Sequence, residues 1–202
     1  MSKPNSTAIM FLIDRSGSMH STAKDAIGGM KQFIADQQKV EGDCTLSVAQ
    51  FDTTYELVHA ARDIHHVPAP QLQPRGGTAL YDSWGRAMAD FKAGIKATPK
   101  AERPEHIIFV VITDGGENAS QEWTQEKVFA EVTKLTKKGW TFVYLGSNQD
   151  AMATGTGLGV AAGSTMTYDN TAIGTFNAYA SASTLISNVR SGTGDGTFEG
   201  ES

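Results

Sequence analysis

A single cysteine among 202 residues rules out an internal disulfide, so the fold has to rest on a hydrophobic core. Cys44 lies in the run Cys44-Thr45-Leu46-Ser47-Val48, where a small buried filler is expected, and this suits a reducing compartment. Long apolar runs are missing too. The N-terminal stretch Ala8 to Ile13 is far too short to span a bilayer and lacks the length and cleavage pattern of a signal peptide, so an intracellular protein without a membrane partner is expected. Positive charge is in deficit, with 17 Lys and Arg against 22 Asp and Glu and a net charge of -5, which leaves no basic field for a phosphate backbone and argues against nucleic acid. No Gly-x-x-x-x-Gly-Lys-Ser/Thr loop occurs, which argues against an ATPase. His65-His66 has no companion ligands at zinc spacing.

What is present is an alternation of strand-like and helix-like segments in a chain of single-domain length. After a polar, frayed lead-in, Met1 to Ser6, the nearly continuous apolar run Thr7 to Ile13 reads as a buried central strand. From Met19 to Gln38 apolar residues recur at helical steps, ending at Glu41-Gly42-Asp43. Thr45 to Phe51 and Tyr55 to Ala60 flank a short polar turn and predict one antiparallel pair. Arg62 to Pro74 is a proline-rich connection, and a helix follows from about Ala79 to Lys96. His106 to Thr113 is a second central strand, Gln121 to Lys138 a helix, Trp140 to Leu145 a strand, and Gln149 to Leu158 a weaker helix. Ser164 to Tyr168 reads as an edge strand, and Asn170 to Val189 as a last helix capped by Asp169 or Asn170. This order predicts a Rossmann-like, doubly wound α/β fold: a mostly parallel six-stranded sheet with one antiparallel edge strand and helices on both faces. Residues 1–190 form the single domain, and the Gly- and acid-rich stretch 191–202 is expected to be disordered.

Two of the predicted strands end in carboxylates. Asp14-Arg15-Ser16-Gly17-Ser18 follows the first central strand, with a carboxylate and two hydroxyls at alternate positions, able to converge on one hard cation. Thr113-Asp114-Gly115 follows the second, and Thr78 stands in a Gly76-Gly77-Thr78 loop. Ligands of doubly wound sheets bind at the carboxyl ends of the strands, so three distant stretches meet at one rim.

These three elements, in this order, resemble the metal-ion-dependent adhesion site of von Willebrand factor A (vWA) domains, in particular stand-alone bacterial or phage-type members. The resemblance implies that Ser16, Ser18 and Thr78 coordinate a divalent cation through their hydroxyls while Asp14 and Asp114 act directly or through water. It implies Mg2+, or Mn2+ in its place, with Ca2+ a poorer match. It implies a protein partner that supplies a carboxylate to the open coordination position, in the setting of an ATPase or a macromolecular assembly, in the cytoplasm of a bacterial cell or a phage-infected host. The function expected is therefore a non-enzymatic, metal-dependent adhesion or assembly module. The alternative is a Mg2+-dependent phosphotransfer or hydrolytic enzyme, for which a placed nucleophile or lysine is not evident in the motif loops.

Each residue also has a plainer reading. Asp14, Ser16, Ser18 and Thr78 are all good helix caps, and Asp114 is a good turn residue. Glu117 and Asn118 lie near the rim but outside the expected metal shell, and His20 is expected to be solvated. Gly155-x-Gly157-x-Gly159 follows a helical stretch and has the wrong spacing for a dinucleotide fingerprint, so a closely packed connection is expected.

Overall fold

The computed structural model describes residues 2–147 and 150–198. In chain order the elements are β1 (Lys3–Asp14), α1 (Ala23–Gln37), β2 (Asp43–Phe51), β3 (Tyr55–Asp63), α2 (Leu80–Ala97), β4 (Pro104–Thr113), α3 (Gln125–Thr136), β5 (Trp140–Ser147), α4 (Ala151–Gly157), β6 (Thr165–Tyr168) and α5 (Ala172–Arg190). Six strands form one sheet in the order β3-β2-β1-β4-β5-β6. All neighbours are parallel except the outer strand β3, which runs antiparallel to β2, so the predicted Rossmann-like doubly wound α/β architecture is the one observed.

Continuous apolar runs in β1 and β4 follow from burial on both faces. Ile9, Phe11 and Ile13 face the layer of α1 and α5, while Ala8, Met10 and Leu12 face the opposite layer with α2 and α3. Phe11 stacks on Tyr179 of α5 at 5.5 Å between ring centroids and meets Phe33 of α1 edge-on at 5.1 Å. On the other face Trp84 stacks between Phe109 and Tyr144. Each such side chain contributes about 1.5–3 kcal/mol on burial.

α1 and α5 approach closely because Gly29 carries no side chain: a Cβ there would lie 2.6 Å from the Tyr179 ring. Gly29→Ala is therefore expected to destabilise the domain by about 1–3 kcal/mol in urea unfolding, although alanine is the better helix former. An unchanged midpoint would show that the helices can separate freely at this point.

Element boundaries differ from the sequence expectation where side chains intervene. The lead-in is not frayed from Lys3 onward, because Lys3 donates its N–H to Arg103 O at 2.8 Å and Ser6 pairs with Asp43; Met1 lies outside the described residues. A 3-10 turn (Gly17–Ser21) precedes α1, which starts at Ala23 rather than Met19. α3 begins at Gln125 because the Asp82 carboxylate accepts the N–H groups of Gln121, Glu122 and Trp123, holding them out of helical bonding. Thr171, not Asp169 or Asn170, caps α5, accepting the Gly174 N–H at 3.0 Å. α4 starts at Ala151 under an Asp150 cap, and Gln149, expected to open it, lies outside the described residues. Its glycines serve packing: a Cβ on Gly155 would lie 2.6 Å from Thr165 Oγ1.

The stretch after Arg190, expected to be disordered, lies against the domain as far as Phe198. Gly196 O accepts the Ser164 hydroxyl at 2.6 Å, and Phe198 donates its N–H to Gly163 O at 2.7 Å and packs its ring on the core. Residues 199–202 lie outside the described residues. Among the described residues no helix is long and apolar enough to cross a membrane.

Candidate metal centre

β1 and β4 are parallel neighbours with Ile13 opposite Ile112, so Asp14 and the Thr113-Asp114 pair emerge side by side at the carboxyl edge. The Asp14 carboxylate is wholly buried; one oxygen accepts the Ser16 N–H at 2.6 Å and the other accepts the Thr113 hydroxyl, also at 2.6 Å. Ser18 donates to Asp114 Oδ1 at 2.5 Å, so the 3.0 Å bond between the two serine hydroxyls uses the Ser16 proton. The second oxygen of Asp114 accepts from the Asn170 side-chain amide at 3.4 Å, and the Tyr168 hydroxyl donates to Thr113 O at 3.3 Å, tying β6 and the start of α5 to the same rim.

Thr78 arrives from the far loop. Its N–H donates to Asn118 Oδ1 at 2.8 Å and its carbonyl accepts the Asn118 N–H at 3.0 Å. The convergence of the hydroxyls is visible at Gly115. A Cβ built there would have as its three nearest heavy atoms Thr78 Oγ1 at 3.0 Å, Ser18 Oγ at 3.3 Å and Ser16 Oγ at 3.7 Å. The space before Gly115 is thus ringed by oxygens, and a side chain would fill it. All five sequence-predicted residues, Asp14, Ser16, Ser18, Thr78 and Asp114, lie at this rim. Asp14, Ser16, Ser18 and Asp114 form one hydrogen-bonded chain through the Ser16 N–H and the serine hydroxyls, with Thr113 bonded to Asp14 as a branch, and the Thr78 hydroxyl faces the same space.

Among the described residues no basic side chain pairs with either carboxylate of the cluster. Burial pushes the Asp14 carboxyl up to about 6, against the bonds from Thr113 and Ser16, and the neighbouring Asp114 adds to the rise. Burial also raises Asp114, against the bonds from Ser18 and Asn170. A hard oxygen donor set with two carboxylates and neutral hydroxyls fits Mg2+ or Mn2+, whose charge would favour both ionised forms. Among the described residues no three His, Cys, Asp or Glu side chains gather into a metal-binding group, so any cation here depends on the hydroxyls.

A second network, which sequence reasoning did not find, fixes the loops. Arg15 is buried on the β2–β3 side of the rim, with Nε donating to Asp52 Oδ2 at 2.9 Å and Nη1 donating to Glu56 at 2.5 Å and to Gln50 at 3.2 Å. Arg75 donates to the same Asp52 oxygen at 2.8 Å, while Asp52 Oδ1 accepts the Thr54 N–H. Burial alone would raise the Asp52 carboxyl, but the bonds from Arg75, Thr54 and Arg15 outweigh it and hold it down at about 2. Two backbone bonds join the same loops: Arg75 N to Arg15 O at 2.9 Å and Gly17 N to Gly76 O at 3.1 Å. Asp52 thus straps the Asp14–Ser18 turn to the loop that carries Thr78.

Glu117 and Asn118 do comparable work on the other side. Glu117 accepts the N–H groups of Tyr81, Ala119 and Ser120, docking its loop on the first turn of α2, and Asn118 holds the Thr78 backbone. His20 is exposed, as expected, in the 3-10 turn, and Cys44 is a buried free thiol.

No protein-family model matches the chain, and no curated protein sequence matches it. Solved structures do. Proximal thread matrix protein 1 from the mussel byssus, in a form described as having a zinc-occupied MIDAS motif, superposes with a TM-score of 0.67 at 16% identity over 90% of this chain and 46% of its own. The chain thus spans about half the length of that protein. The vWF domain of the type V pili tip protein Mfa5 from Porphyromonas gingivalis gives 0.61 at 11% identity over 97% of both chains. The pilus adhesin SpaC from Lactobacillus rhamnosus GG, in an open conformation, gives 0.67 at 13% identity over 93% of this chain and 30% of its own. At these identities the likeness is one of architecture, and the architecture is that of the von Willebrand factor A domain.

Proposed function

We propose that residues 1–190 form a metal-dependent protein-binding module, which docks an acidic group of a partner protein onto a divalent cation held by Ser16, Ser18, Thr78, Asp14 and Asp114. The observation that carries this reading is the ring of three hydroxyl oxygens around the space before Gly115, backed by two buried carboxylates that have no cationic partner among the described residues. Mg2+ keeps exchangeable waters when protein oxygens do not fill its shell, and a bound cation here would offer such a position to an incoming carboxylate. Mn2+ fits the same donors. An adhesion or assembly role accords with the pilus and byssus proteins that share the fold. We further propose a partner within a macromolecular assembly, with or without an ATPase, in the cytoplasm.

The enzymatic alternative asks for a nucleophile or general base beside the cation. Asp14 is poorly placed for attack, since both its oxygens are engaged and the side chain is wholly buried. The test is retention of partners from the cell that encodes the chain, on immobilised wild type and Thr78→Ala, with magnesium and again with chelator. A set of proteins retained only by wild type with magnesium is expected. Equal retention under all conditions would overturn metal-bridged docking.

A further inference from the structure

The end of the sheet opposite the metal rim carries a groove of about 260 Å³ between the last turns of α2 and the outer strand β3. Phe91 and Ile95 of α2 form one wall, Leu57 and Ala60 of β3 the other, and Ala8 and Met10 of β1 line its depth. Three features show how the gap arises. Gly94 sits in the helix interior, where glycine is a poor choice, and a Cβ there would meet nothing within 4 Å. Ala61 is held in the left-handed region at φ 44°, with its N–H donated to Ser47 Oγ at 2.9 Å. Small residues then leave the space between Phe91 and Leu57 unfilled.

The mouth is acidic. Three acids, Asp43, Asp90 and Glu102, line it with one base, Lys3, which pairs with Asp43 and is also drawn toward Glu102, and the bond Asp90 receives is from the neutral Tyr55 hydroxyl at 3.0 Å. β3 is also the outermost strand on this side, so an extended chain has a sheet edge to pair with beside the groove.

We infer that this groove docks an extended basic segment of a second protein, which seats one large apolar side chain between Phe91 and Leu57 and sets its cationic neighbours against Asp90 and Glu102. Edge pairing supplies main-chain bonds, the groove selects the apolar residue, and the acids select the flanking charge. The site lies at the N-terminal end of the strands and works without the cation, so the domain has docking faces at both ends and can bridge two molecules.

The test uses the full chain and three labelled hexapeptides, KKFLKK, KKGGKK and EEFLEE, followed by fluorescence polarisation at about 0.15 M salt, where charge alone is largely screened. KKFLKK is expected to bind saturably, about tenfold or more tighter than either control, and to do so equally with magnesium and with chelator. Gly94→Leu, which fills the groove and keeps every charge, should weaken KKFLKK about tenfold while raising or preserving thermal stability. Ala60→Leu is the second filling variant should the first fold poorly. Equal binding of KKGGKK, or undiminished binding to a folded filling variant, would overturn the inference. So would saturation by phenethylamine with no peptide bound, which would assign the groove to a small amine. Loss of KKFLKK binding in chelator would overturn its independence from the metal rim.

Discussion

Asp114→Asn is expected to abolish metal-dependent stabilisation while leaving the metal-free domain at least as stable as wild type. A ligand present at about 100 times its Kd stabilises the native state by about 2.7 kcal/mol, which for a domain of this size raises Tm by about 5–10 °C. Wild type should show that rise with magnesium and with manganese, and the variant should show none. The metal-free half follows from charge. Asp114 is raised by burial and stands beside Asp14, itself raised to about 6, so removing one carboxylate relieves the other. The new amide keeps a carbonyl to accept from Ser18. Its NH2 would face the Asn170 amide, but the Asn170 Oδ1 atom is buried without a partner, and turning that side chain presents an acceptor instead. Calorimetric scans of both proteins, in magnesium and in chelator, check the two halves together. A metal-induced rise equal to that of wild type would remove Asp114 from the cradle; a large loss of metal-free stability would make it a structural turn residue.

The sheet was legible because its information is local. Near-continuous apolar runs at 7–13 and 106–113 read as strands buried on both faces, and helical periodicity between them predicts crossovers and hence parallel neighbours. That places Asp14 and Asp114 side by side, and β1 does pair with β4. Thr78 was legible only together with the rest of the constellation, since its own sequence context reads first as a helix cap. What was not legible depends on partners distant in sequence. Asp82 delays α3 by collecting N–H groups about forty residues away, and nothing in Gln121 to Thr124 announces it. Glu117 looks like an exposed loop acid until its bonds to Tyr81 and Ser120 are seen. The tail reads as disordered from its glycine and acid content, but a single aromatic, Phe198, gives it something to bury. Arg15 sits in the middle of the motif, and nothing local announces its partner, which follows 37 residues later.

That partner carries the prediction with the largest effect on stability. Asp52→Ala is expected to destabilise the domain by about 3–5 kcal/mol, because it leaves the Arg15 guanidinium buried without its main carboxylate. Arg15 and Asp52 side chains are 7% and 2% exposed, so water cannot replace the lost bond, and Glu56, at 55% exposed, offers only a screened alternative. The pH dependence isolates the charge. Asp52 titrates at about 2 in the folded chain and at an ordinary carboxylate value when unfolded, so the unfolded state takes up the proton first. Its contribution, about 2 kcal/mol, is therefore fully present above about pH 4 and lost as the pH falls toward 2. Asp52→Asn should show a smaller loss of stability than wild type across that window in urea unfolding, with the Asp14 contribution cancelling in the difference. Parallel curves would mean that the bonds to Arg15 and Arg75 are no stronger than those to water. The same substitution should reach the rim. With Asp52 neutral, Arg15 and Arg75 lose the shared negative charge that holds the Asp14–Ser18 turn to the Thr78 loop, the backbone bonds at Gly17 and Arg75 remain, and magnesium affinity should fall about tenfold although no proposed ligand has changed. A variant that loses stability but binds magnesium as wild type does would separate the two roles and leave Asp52 a purely structural strap.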